Sequence, residues 1–153
     1  MSIRRGKLGE YRIIVELLKR NYNVFEVVDD NEGIDFVIRL SNGKYIEIQA
    51  KYKKDGYFNQ FYMRGEPRDN YFFILYWVDE NSFWVIPSRD IKEKARYQQD
   101  GVWKNTYTID LKSGVQREIF KDYKDKWELL EKEVEKEAKE IKIIQQPHKP
   151  TQN

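Results

Sequence analysis

With 153 residues and 18.6 kDa, the chain has the length of one ordinary domain able to bury a continuous core. It contains no cysteine and one histidine, His148 in a polar tail, which excludes zinc fingers, disulfide frameworks, thiol nucleophiles and histidine-based centres. Lysine plus arginine exceed aspartate plus glutamate by only 28 to 26, so any surface for phosphates must be local.

Apolar residues at Leu8, Tyr11, Ile14, Val15 and Leu18 follow a helical period and predict a helix over 8–19 with that face buried. The β-branched run 24–28 predicts a strand halted by the turn cluster at 29–33. A second strand, 34–40, closes at Asn42-Gly43, a hairpin signal, and a third resumes over 44–52. Residues 53–70 have no clean period and are long enough for a crossover with a short helix, leading to YFFILYWV (71–78), which reads as a strand buried on both faces. That apolar run is too short to span a bilayer, and no signal-peptide pattern opens the chain, so a cytoplasmic protein with no membrane partner is expected.

A hairpin follows to 83–87, then a helix around 90–97 capped by Ser88, then a strand at 106–111 ending at Ser113-Gly114. From Lys121 onward Tyr123, Trp127, Leu130, Val134 and Ile141 keep heptad-like spacing, with the i,i+4 pairs Glu128/Lys132 and Glu135/Lys139. The expected layout is one domain over 1–144, its long amphipathic C-terminal helix at about 121–144, and a frayed tail at 145–153. The fold class is α/β with a mixed sheet.

On the third strand Glu47, Gln49 and Lys51 share one face, opposite Ile46, Ile48 and Ala50. The hairpin brings Asp35 alongside them, and Glu10 at the border of the first helix can reach the same edge. Taken singly, each feature is the ordinary wet face of a half-buried sheet. Together they form a possible carboxylate cage for an oxygen-ligated Mg²⁺ or Mn²⁺, with a lysine to orient water or offset charge during phosphodiester hydrolysis.

Glu10, then Gly33-Ile34-Asp35, then Glu47-Ile48-Gln49-Ala50-Lys51 resembles the PD-(D/E)XK nuclease superfamily over about the first half of the chain. The resemblance implies a restriction-endonuclease-like core and a metal-dependent DNA endonuclease of homing, restriction or junction-resolving type. It also implies that Asp35, Gln49 and Glu10 bind metal and that Lys51 assists the water. Gln49 stands where the superfamily has an acid, and a competing register takes Glu47 as the metal ligand and Gln49 in the lysine position. A catalytically degenerate module that binds DNA or a protein without cutting is the alternative, and an interaction protein working through its terminal helix is a third reading.

Lys53, Lys54, Asn59, Gln60, Arg64 and Arg68, interleaved with aromatics after Lys51, are candidate DNA contacts, and Arg4, Arg5 and Lys7 can add backbone contacts. Because one site meets one strand of a duplex, a homodimer or homotetramer is expected.

Overall fold

The computed structural model describes residues 3–29, 33–112 and 114–145. Its elements run α1 (Ile3–Lys19), β1 (Asn23–Glu26), β2 (Phe36–Arg39), β3 (Tyr45–Lys53), β4 (Tyr57–Phe61), β5 (Tyr71–Trp77), β6 (Ser82–Pro87), α2 (Ser88–Lys94), β7 (Arg96–Gln98), β8 (Thr106–Asp110), α3 (Gly114–Phe120) and α4 (Glu128–Ile144). A five-stranded mixed sheet is ordered β1-β2-β3-β5-β6, parallel only between β3 and β5. A second, antiparallel sheet is ordered β4-β8-β7.

The Asn-Gly hairpin forms as its chemistry requires. Gly43 takes φ +84°, and the Asn42 side chain accepts from the Lys44 amide. β5 is buried along its whole length, so its alternate residues supply two cores. Phe72, Ile74 and Tyr76 join Ile46, Ile48 and Ala50 beneath α1 and Trp127. Tyr71, Phe73, Leu75 and Trp77 join Phe58, Phe61, Tyr107 and Ile109 of the second sheet.

Several expectations are corrected. Helix α1 buries Gly9, Ile13 and Leu17, while Leu8, Tyr11, Val15 and Leu18 stay exposed. Of the stripe expected from the sequence only Ile14 packs against the core, partly buried, because the contact face runs along Gly9, Ile13 and Leu17. A Cβ on Gly9 would sit 2.3 Å from Cγ of Tyr52, so the missing side chain is what lets the helix reach β3.

The 53–70 connection holds strand β4 and no helix, since its pairing partner β8 lies almost fifty residues downstream and left no local signal. Ser88 does not cap α2 through its side chain; its hydroxyl accepts from the Arg68 amide (3.1 Å) and donates to the Arg68 carbonyl (3.0 Å), pinning the connection. α2 ends at Lys94, and Arg96–Gln98 is a strand.

The C-terminal helix starts at Glu128 and not at Lys121. Lys121–Tyr123 is a 3₁₀ turn, and Asp125 at φ +53° separates it from the helix, so Tyr123 and Trp127 enter different cores. Trp127 packs under the Arg20 guanidinium, 4.3 Å from its ring centre. The side chains of Val134, Glu135 and Ile141 and residues 146–153 lie outside the described part. Among the described residues no helix is long and apolar enough to cross a membrane.

Candidate active site

β3 has nine residues and β2 only four, and their pairing ends at Phe36 opposite Ile48. On its other side β3 stays paired with β5 through Lys53. The β2-side edge of β3 therefore opens after Ile48.

Asp35, one residue ahead of β2, sits at that opening. Its amide donates to the Ile48 carbonyl (2.9 Å), and its Oδ2 accepts from the Ala50 amide at 2.7 Å. A carboxylate fastened to the backbone between Gln49 and Lys51 has little freedom to rotate away. Gly33 shapes the approach at φ +70°; a Cβ there would lie 2.6 Å from Cγ of Arg64 and 3.5 Å from Nε2 of Gln49.

Beside this opening is a pocket of about 400 Å³ lined by Glu10, Gly33, Gln49, Lys51, Lys53, Asn59, Gln60 and Arg64, among others. Glu10 comes from α1 and accepts from the Lys7 ammonium at 2.9 Å, which holds that ammonium above its ordinary pKa. Gln49 is buried, and its Oε1 accepts from the Tyr71 hydroxyl at 2.6 Å. Burial pushes the Tyr71 phenol up to about 12, although the Arg64 backbone amide and the Arg68 guanidinium pull the other way. Tyr71 is thus a neutral donor at neutral pH and fixes the amide orientation. Gln49 Oε1 keeps a second lone pair for another partner.

Glu47 belongs to a different contact. Arg68 Nε donates to its Oε2 at 2.6 Å, Nη2 donates to the same oxygen, and the guanidinium covers the Tyr71 ring at 4.2 Å. Arg68 Nη1 also reaches the Glu66 carbonyl (3.1 Å), so this arginine binds the connection to β3. Lys54 lines a separate cavity of about 790 Å³ beside Leu8, Arg12 and Tyr76. The side chains of Arg4 and Arg5 lie outside those described.

The pocket thus brings together Glu10, Gln49, Lys51, Lys53, Asn59, Gln60 and Arg64, with Asp35 bound to the backbone at its edge and Glu47, Lys54 and Arg68 elsewhere. Among the described residues no three Asp, Glu, His or Cys side chains form a group that could hold a metal ion. The donors present are carboxylate and amide oxygens, a set suited to a hard cation that keeps several waters. Tyr71 was missed from sequence because it reads as one more aromatic in an apolar run; only β5 pairing beside β3 aims its hydroxyl at Gln49.

Tyr71 gives a pH test. An unfolded tyrosine titrates near 10 and folded Tyr71 near 12, so between these values the unfolded chain loses its proton first and stability falls as pH rises. Tyr22, also raised to about 12 by burial, acts in the same sense. The unfolding free energy from urea titrations should drop from about pH 10 to 12 by up to roughly 2 kcal/mol per group, with a shallower slope in Tyr71→Phe. Equal slopes for the two proteins would remove Tyr71 as a contributor.

The helix α1, the mixed sheet with its parallel β3–β5 pair and the pocket where β2 ends define the restriction-endonuclease-like fold. The chain is similar to the bacterial homing endonuclease I-Ssp6803I, with a TM-score of 0.59 and 18% identity, covering 93% of this chain and 98% of that one. It is also similar to Hjc, a Holliday junction resolvase from Archaeoglobus fulgidus, with a TM-score of 0.48 and 16% identity over 76% of this chain and 88% of that one. No protein-family model and no curated protein sequence matches.

Proposed function

We propose that this chain is a metal-dependent DNA endonuclease that hydrolyses phosphodiester bonds, of homing, restriction or junction-resolving type. The observation that carries the reading is the meeting of Glu10, Gln49 and Lys51 in one pocket, with the Asp35 carboxylate fixed to the Ala50 amide between the last two. The fold shared with a homing endonuclease supports the same class.

Asp35, Gln49 Oε1 and Glu10 would hold Mg²⁺ or Mn²⁺, which when bound supplies charge stabilisation at the phosphate and a more acidic water. Lys51 orients the attacking water through its ammonium and offsets the negative charge that builds on the phosphoryl oxygens. Tyr71 keeps the Gln49 carbonyl from rotating. Lys53 and Arg64 offer cations to flanking phosphates.

A symmetric assembly of two or four copies fits this reading, since each copy would meet one strand. The exposed seam Leu8, Tyr11, Val15 and Leu18 on α1 supports self-association. Gln49, neutral where an acid is expected, favours a second reading in which the pocket holds DNA without cutting.

The deciding experiment incubates the full chain with supercoiled plasmid and Mg²⁺ or Mn²⁺, against a chelator control, after sizing the protein by sedimentation. Nicked or linear products only with metal, from a species larger than 18.6 kDa, are expected. Uncut but retarded plasmid would favour the binding module. Neither cutting nor binding would overturn both readings.

A further inference from the structure

Strand β4 contains an irregularity whose effect reaches the second sheet. Tyr57 and Phe58 oppose Asp110 and Ile109, but Phe61 opposes Tyr107, so Asn59 and Gln60 together face the single residue Thr108. This is a β-bulge, and Gln60 adopts φ +54°, a left-handed conformation costing a non-glycine residue roughly 1 kcal/mol.

The bulge keeps both Phe58 and Phe61 turned into the core, although they are three apart, and turns Gln60 to the outer face. There Gln60 lines two concavities at once: the candidate catalytic pocket and one of about 560 Å³ on the outside of β4-β8-β7. On the far strand Arg96 pairs with Thr108, and the Gln60 amide donates to Thr108 Oγ1 at 3.4 Å.

Gln60, Thr108 and Arg96 therefore form a row across three strands. With strands about 4.8 Å apart, Gln60 and Arg96 stand roughly 10 Å from each other. Neither side chain forms a hydrogen bond or ion pair within the described residues. Asp100 and Asp110 also lie on or beside this surface, so it is not a uniformly cationic phosphate clamp. Tyr57, Tyr97, Val102 and Trp103 also line it, and its amide, hydroxyl and guanidinium groups suit base edges.

Resting on the endonuclease reading above, we infer that the outer face of β4-β8-β7 enters the DNA major groove next to the cut phosphate, where Gln60 and Arg96 read bases. Three strands span about the 12 Å width of that groove. A glutamine pairs bidentately with adenine and an arginine with guanine. Bases rise about 3.4 Å per step, so the two positions read lie about three base pairs apart.

The test presents the full chain, with Mg²⁺, to a DNA library carrying a randomised site, and sequences what is cut. The wild type selects an adenine and a guanine about three positions apart. Gln60→Ala loses the adenine preference by about 10- to 100-fold and keeps the guanine; Arg96→Ala does the reverse. Gln60→Gly relieves the backbone strain, so it folds at least as well as wild type yet also loses the adenine preference. A wild type that cuts without preference, or variants with the wild-type profile, would overturn this inference while leaving the endonuclease reading intact. A wild type that neither cuts nor retards DNA would remove the endonuclease reading and this inference with it.

Discussion

If the chain is the proposed endonuclease, Lys51→Ala is expected to lower metal-dependent DNA cleavage by about 10²- to 10³-fold and Glu47→Ala to leave the rate within about threefold, the scale being that of removing one transition-state donor. The contrast follows from where the two side chains lie. Lys51 lines the pocket beside Gln49 and Glu10. Glu47, four residues earlier on the same strand face, is occupied by Arg68 outside that pocket.

Removing Glu47 frees Arg68 and costs about 1 kcal/mol of stability, the usual worth of a partly exposed ion pair. It does not touch the reacting atoms. Single-turnover rates with enzyme in excess, read beside the melting temperature of each variant, separate chemistry from folding. An inactive Glu47→Ala beside an active Lys51→Ala would establish the competing register, with Glu47 as ligand and Gln49 in the lysine position.

Two glycines of α1 are expected to respond to the same substitution with opposite signs. Gly6→Ala meets nothing within 4 Å and stabilises by up to about 1 kcal/mol through helix propensity. Gly9→Ala gains the same propensity but places its methyl 2.3 Å from Tyr52 Cγ and 2.7 Å from Tyr52 Cβ. These atoms sit at the root of the side chain, so only a shift of helix or strand relieves the overlap.

Overpacking of this kind outweighs the propensity gain. A net loss of about 2 kcal/mol, or roughly 5 °C in Tm for a domain of this size, is expected. Since Glu10 follows directly, the displaced helix also carries a pocket residue with it, and on the proposed function cleavage is expected to fall together with stability. Urea unfolding of both variants checks the pair; a Gly9→Ala protein as stable as Gly6→Ala would mean that α1 does not approach β3 this closely.

The parts of the molecule that sequence made legible are those fixed by local chemistry. Asn42-Gly43 specified its hairpin, and the unbroken apolar run at 71–78 announced a strand with no wet face. Alternation along β3 placed Gln49 and Lys51 on one side. Long-range pairing hid the rest. β4 looked like an aperiodic connection because its ladder partner lies at 106–110 and its bulge breaks the period of two.

The buried side of α1 was misread because Gly9 carries no hydrophobicity to mark a face that it defines by close approach. Ser88 resembled a helix cap, yet its hydroxyl serves Arg68, twenty residues earlier. The role of Tyr71 depends on a neighbouring strand and has no local signature.

The continuous burial of β5 bears on how this chain can vary. Along an ordinary half-exposed strand every second position accepts polar replacements, so half the sequence can drift at little cost. β5 has no such positions: one alternate set packs beneath α1 and the other against the second sheet, beside the candidate pocket. A saturation scan of 71–77 should therefore show none of the every-other-residue permissiveness seen along half-exposed strands. Polar replacements at Phe72 or Ile74 would loosen the helix layer, and those at Tyr71 or Phe73 would loosen the surface that holds Gln49 in place.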